Sequence, residues 1–323
     1  RGASPNTVKA YREVLNAFID HIASLGKPLE QISFDCISRE SVEDFLDWLE
    51  NDKDYSVSSR NQRLAAIKAF MNYSSERDKT LMALNLELNA IKKKKDSSSY
   101  DIDFFSETAL VAILAQPNQD KKNGQRDLVF IILLYDSGAR VQELLDLRLK
   151  DVCLDEDSPF VTVTGKGRKM RTIPIMEKTR GHLKLYLKKF HPNSKPEDYL
   201  FYIDRKGMRS QMSADNVGKF IAKYGRNAHT VSKEVPEYLY PHMFRHSRAM
   251  HLYRNGMPLA LVAEWLGHSK MDTTRRYYAN ADTTMKKDAI EKATSELNPL
   301  LSGTVDLGWE DDEELLKKLY GLK

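Results

Sequence analysis

Phe160-Val161-Thr162-Val163-Thr164-Gly165-Lys166-Gly167-Arg168-Lys169-Met170-Arg171-Thr172-Ile173-Pro174-Ile175 is where the apolar pattern of the chain turns from helical to extended. Two short β-branched runs flank a basic segment with two glycines, which predicts a β-hairpin with Lys166 in its turn. Downstream the pattern returns to helical spacing at Lys178–Phe190, Asn216–Tyr224, Pro241–Arg254 and Leu259–Leu266. The expected fold class is mainly α with a small antiparallel β-sheet.

Upstream, residues 1–91 read as a helical bundle. Val8, Tyr11, Leu15, Phe18 and Ile22 recur at helical spacing behind Ser4-Pro5, an N-cap followed by a first-turn proline. Val42, Phe45, Leu46 and Leu49 form a second apolar stripe, Leu64, Ile67, Phe70 and Met71 a third, and Leu81 to Ile91 carries a fourth. These stripes are expected to be core. Lys92-Lys93-Lys94-Lys95-Asp96-Ser97-Ser98-Ser99 then has linker composition, and residues 92–103 are taken as the boundary. A larger domain is expected over 104–300. Beyond Ser302-Gly303, the segment Trp309 to Tyr320 is acidic first and lysine-bearing last, matching a helix dipole. Its stripe of Leu315, Leu316, Leu319 and Tyr320 needs a surface to cover it, either its own or a neighbour's. Its acidic bias complements the basic larger domain, so residues 301–323 are expected to form a tail helix that docks on a neighbouring protomer, the alternative being a fold-back on its own domain.

Composition narrows the function classes. Of 323 residues, 41% are hydrophobic and 30% charged, the balance of a soluble globular chain. The apolar run that includes Val129 to Tyr135 falls far short of the ~20 residues of a bilayer span, so no membrane partner is expected. Cys36 and Cys153 are too few for a disulfide framework and fit a reducing cytosol. The net charge of +4 is unevenly spread: residues 1–100 are balanced at 15 basic and 15 acidic, residues 101–300 carry 32 against 25, and the last 23 carry 3 against 6. A basic middle invites a polyanion. Lys92, Lys93, Lys94, Lys95, Arg168 and Lys169 are candidate contacts to a phosphate backbone.

Four segments of the larger domain carry chemistry. In Ser137-Gly138-Ala139-Arg140-Val141-Gln142-Glu143-Leu144, glycine ends an apolar helix and Arg140 opens the next, where a guanidinium is held rigidly enough to clamp a phosphate. The hairpin turn presents Lys166 as a mobile proton donor. In Pro241-His242-Met243-Phe244-Arg245-His246, His242 and Arg245 share a helix face, which suits an anionic substrate needing both proton transfer and charge neutralisation. His242 and His246 are four apart, but no glutamate lies between them in the zinc-protease arrangement and neither cysteine is near, so they are not read as a metal site. In Trp265-Leu266-Gly267-His268-Ser269-Lys270-Met271-Asp272, glycine ends a helix and Ser269 with Asp272 fits a capping box for the next, on which Tyr277 lies.

The order and spacing of these elements (GxRxxEL, a lysine in a GKG turn, HxxRH, LGH, then tyrosine nine residues on) resemble the tyrosine recombinase, or phage integrase, family over roughly residues 4–300. The resemblance implies an N-terminal core-DNA-binding bundle followed by a catalytic domain. It implies an active-site set of Arg140, Lys166, His242, Arg245, His268 and Tyr277. Family members often have Tyr-Thr-His around the nucleophile, whereas here Tyr278 and Ala279 follow Tyr277.

The expected activity is site-specific DNA strand exchange through a 3′-phosphotyrosyl intermediate, without metal or cofactor. The role expected is integrase or transposase of a mobile element, with chromosome-dimer resolution and DNA inversion as alternatives. A non-catalytic DNA-binding protein is the alternative of another class, and type IB topoisomerases share the residue types. Expected partners are double-stranded DNA at specific sites and further copies of the chain, a tetramer in the synaptic complex, in the cytoplasm at the nucleoid.

Overall fold

The computed structural model describes residues 5–95, 103–155, 157–165, 167, 169–267, 287 and 290. Lys166, Arg168, His268, Tyr277 and the expected tail helix lie outside the described residues. The chain divides into two compact units, Arg1–Ser99 and Tyr100–Lys323.

The first unit contains α1 (Pro5–Ser24), α2 (Arg39–Asn51), α3 (Val57–Arg77) and α4 (Met82–Ala90). Serines start two of them. Ser38 accepts the Ser41 N–H while Ser41 accepts the Ser38 N–H, a reciprocal capping box, and Ser56 accepts from Ser59. The buried core joins Phe18 and Ile22 to Val42, Phe45, Leu46, Leu49, Leu64, Ile67, Met71, Leu88 and Ile91. Each such side chain contributes about 1.5–3 kcal/mol by leaving water. The first stripe is only half core: Val8 and Tyr11 stand 47% and 38% exposed. They face a shallow groove shared with Phe34, Phe70 and Tyr73, where a 3-10 turn (Phe34–Cys36) rather than a full helix lies opposite.

The second unit begins with α5 (Glu107–Leu114), α6 (Lys122–Ser137) and α7 (Val141–Leu145). A three-stranded antiparallel sheet follows in the order β1 (Val152–Cys153), β2 (Phe160–Thr164), β3 (Met170–Pro174). The β2–β3 register pairs Phe160 with Pro174 and Thr164 with Met170, and the Gly165 N–H closes the turn on the Lys169 carbonyl at 2.8 Å. Then come α8 (Glu177–Phe190), a second hairpin of β4 (Tyr202–Arg205) and β5 (Met208–Gln211), α9 (Ala214–Val231), α10 (Pro241–Arg254) and α11 (Leu259–Leu266). Val161, Val163 and Ile173 from the sheet pack with Phe130, Leu133 and Leu134 of α6, Leu183 of α8, Ile221 of α9 and Phe244 of α10 in one core. This core holds the hairpin, the α6–α7 junction and α10 around a common region. Among the described residues, no helix is long and apolar enough to cross a membrane.

Candidate active site

The site is built on helix ends. The α6 helix stops at Gly138, whose φ of +57° is left-handed, and the chain restarts as α7 with Arg140 at its N-cap. Glycine is required here twice over. A Cβ at position 138 would need the strained left-handed conformation and would also meet the Trp265 ring at 2.6 Å. The Trp265 indole thereby seats α11 on the α6–α7 junction. Gly138→Ala is expected to cost about 3 kcal/mol of folding stability, from left-handed strain plus overpacking. Urea denaturation checks this, and an unchanged midpoint would contradict it.

Arg245, in the second turn of α10, is 2% exposed and donates to two main-chain carbonyls, Gly138 O and Leu266 O, each at 2.6 Å. Both acceptors sit at helix C-termini, those of α6 and α11, where the macrodipole is negative. A cation is thus fixed where two helix ends converge. His242, one turn earlier on α10, meets the His246 ring edge to face at 4.8 Å. Loss of water around the ring, then the positive charges of Arg245 and Arg140, push the His242 pKa below its ordinary 6.5, with Glu143 opposing. The ring is therefore neutral, and able to accept a proton, at neutral pH.

Arg140 is held by Glu143 in two ways. Its N–H donates to Oε2 and its Nη1 to Oε1, both at 2.8 Å, while its side chain stays 39% exposed. Glu143 itself is buried and accepts a second guanidinium, that of Arg171 on β3, at 3.1 and 2.8 Å. Burial alone would raise the Glu143 pKa; Arg171 and the Arg140 main and side chains overcome it and bring the carboxyl down to about 2. Arg171 also lies against Gly165, whose Cβ would stand 3.4 Å from its Nη1, and against Gly267, whose Cβ would stand 3.1 Å from its Nε.

The structure therefore brings together Arg140, His242 and Arg245. Around the same Glu143–Arg171 pair it gathers Gly165 and Gly267, the residues directly before Lys166 and His268 in the chain. Glu143 and Arg171 were not singled out by the sequence reading. The available signals were a glutamate at the third position of a helix and a charged residue at an inward-facing strand position. Of the expected DNA contacts, Lys92, Lys93, Lys95 and Lys169 are exposed. Lys94 is exposed as well but already paired, with its Nζ 2.5 Å from Glu50 and 3.6 Å from Asp47. Among the described residues, no group of three or more His, Cys, Asp or Glu is placed to hold a metal ion.

Comparisons with known proteins agree with this architecture. Residues 103–284 match the phage integrase family and residues 1–78 its N-terminal SAM-like domain. A tyrosine recombinase XerD of Staphylococcus saprophyticus is 31% identical over 310 residues, covering 93% of this chain and 94% of that protein. An integrase/recombinase of Sinorhizobium fredii, y4rC, is 30% identical over 296 residues, covering 91% and 87%. Among solved structures, the Tn1549 transposon integrase in complex with transposon right-end DNA superposes with a TM-score of 0.69 at 18% identity, over 91% of this chain and 96% of that one. The XerH site-specific recombinase bound to its difH substrate gives 0.67 at 21% identity, over 89% and 80%. At these identities the structural likenesses speak for the fold.

Proposed function

The chain belongs to the phage integrase family, and from that premise we propose that it is a tyrosine site-specific recombinase that cuts and rejoins double-stranded DNA through a 3′-phosphotyrosyl intermediate. The observation that carries this reading is the convergence of Arg140, His242 and Arg245 at helix ends, with the residues preceding Lys166 and His268 packed on the same ion pair.

In the proposed mechanism the Tyr277 hydroxyl attacks the scissile phosphorus, and the bond from phosphorus to the 5′-oxygen breaks. A phenol with a pKa of about 10 needs a base or a strongly electropositive site to react at neutral pH. His242, held neutral, takes its proton. Arg140 and Arg245 stabilise the charge building on the non-bridging oxygens, and His268 adds a further donor. Lys166 protonates the departing 5′-oxygen. The phosphotyrosyl bond conserves the energy of the broken linkage, so a 5′-hydroxyl from a second strand rejoins DNA by the reverse steps without a nucleotide cofactor. Exchange between duplexes requires several protomers on DNA; the structural neighbour lambda integrase is a dimer bound to a core site. The N-terminal helical unit supplies further contacts to the core site, and the protein works at the nucleoid. Relatives of nearly equal identity carry integrase and XerD names, so the family relationship supports both the mobile-element and the chromosome-dimer role.

The test is a duplex nicked beside the cleavage site, so that the cut fragment diffuses away and the covalent complex accumulates. Incubation with candidate element-end and chromosomal resolution sites in EDTA is expected to give a protein–DNA adduct on a denaturing gel. A strict metal requirement, or binding without adduct on every site bound, would reject the mechanism. The pH profile of the same cleavage adds a second check. Because the folded His242 pKa lies below 6.5, the base stays competent as pH falls to that value, and the rate is lost only below it. An acid limb centred above 6.5, or one that persists in His242→Gln, would contradict the assignment.

A further inference from the structure

We infer that Arg171 is a positioning residue for protonation of the leaving group: it fixes the base of the turn that carries Lys166 against the α7 amino terminus that carries Arg140. The inference rests on the reading of Lys166 as the proton donor.

The strand alternation makes Arg171 an anomaly. Ile173 on β3 is fully buried, and Arg171, two residues earlier and paired with Val163, is the next inward-facing position. An apolar side chain would simply continue the core there. A buried ion pair offers little net stability over well-packed apolar groups, so a stability argument does not account for it. Geometry does. The two Nη atoms meet the two oxygens of Glu143 in parallel, at 3.1 and 2.8 Å, a fork that fixes angle as well as distance. The same two oxygens hold the Arg140 Nη1 and N–H. One carboxylate therefore sets the hairpin stem and the start of α7 in mutual register.

The turn itself rests on this pair. A Cβ at Gly165 would stand 3.3 Å from Glu143 Oε1 and 3.4 Å from Arg171 Nη1, so the backbone approaches with no side chain between. Lys166 is the next residue. Loss of Arg171 leaves Arg140 its own two bonds to Glu143, whereas the hairpin loses both bonds that Arg171 makes to that carboxylate. The consequence falls on the lysine, since an acid displaced by even ~1 Å transfers its proton far less effectively.

The experiment compares single-turnover cleavage of a duplex with the normal 5′-bridging oxygen and one with sulfur there, whose thiolate leaves without an acid. Arg171→Ala is expected to slow oxygen cleavage by about 10²-fold, the scale of general-acid catalysis, and to cut the sulfur substrate within about threefold of the unsubstituted protein. Arg171→Lys, which keeps charge and loses the fork, is expected between the two on oxygen and fully active on sulfur. It carries the test if the alanine variant does not fold. Lys166→Ala is measured alongside. Its rescue by sulfur without rescue of either Arg171 variant, or equal losses on both substrates, would mean that Arg171 is merely structural. An undiminished oxygen rate in Arg171→Ala also overturns the proposal. Failure of sulfur to rescue Lys166→Ala would overturn the proton-donor reading, and this inference with it.

Discussion

Tyr277→Phe is expected to abolish the covalent protein–DNA adduct while leaving folding and duplex binding intact. The substitution removes one hydroxyl and keeps the ring, so its only large effect is on nucleophilic attack. With no attacking oxygen there is no phosphotyrosyl ester, and strand exchange falls to background. Tyr278→Phe serves as the matched control. On the helix expected from the sequence, neighbouring residues would point ~100° apart, so only one of the two adjacent tyrosines could address the phosphorus. Adduct lost in Tyr278→Phe and retained in Tyr277→Phe would move the nucleophile by one residue. Denaturing gels of labelled nicked duplex, with a mobility shift for binding, read both properties.

The second large effect separates the two arginines. Removing a fixed donor to the transition state costs roughly 10²–10³-fold in rate, and Arg140→Ala and Arg245→Ala are each expected to show that loss in single-turnover cleavage. Their effects on stability should differ. Arg140 is 39% exposed, and its truncation leaves Glu143 with Arg171 and the Arg140 N–H. Arg245 is almost fully buried and joins the carbonyl ends of α6 and α11. Its loss strands two buried carbonyls and is expected to cost about 3 kcal/mol, at the scale of hydrogen bonds to a charged group. Urea denaturation of the two variants provides the comparison. Near-native cleavage by either variant would remove that arginine from the site, and equal stabilities would contradict the bracing role of Arg245.

The sequence pattern shows most of the frame and less of the wiring. The β2–β3 hairpin was legible because β-branched runs flank a glycine-containing turn, and α10 and α11 were legible to the residue because proline opens one and glycine closes the other. The β4–β5 hairpin was not. Its strands, Tyr202-Ile203-Asp204-Arg205 and Met208-Arg209-Ser210-Gln211, are short and polar. Its turn places Lys206 as well as Gly207 at positive φ, where Asn-Gly or Asp-Gly would have announced it. Val8 and Tyr11 keep helical spacing with Phe18 yet remain exposed, because periodicity tells which face is apolar but not how far along a helix the partner reaches. In the site, Arg140, His242 and Arg245 stood out by residue type at a helix junction or on a shared helix face. Glu143 and Arg171 are 28 residues apart in sequence and acquire meaning only when β3 is folded against α7. Burial that turns a surface charge into a clamp is a tertiary property.

The central claim is that the protein joins itself to DNA through one tyrosine, and mass analysis of the joined peptide tests it most directly. After adduct formation on a nicked duplex, nuclease trimming and trypsin should release the peptide Tyr277 to Lys286, which follows Arg275-Arg276 and contains both adjacent tyrosines. Fragmentation is expected to place a nucleotide-bearing phosphate on Tyr277. The same mass on Tyr278, on a serine elsewhere, or on no peptide at all would contradict it.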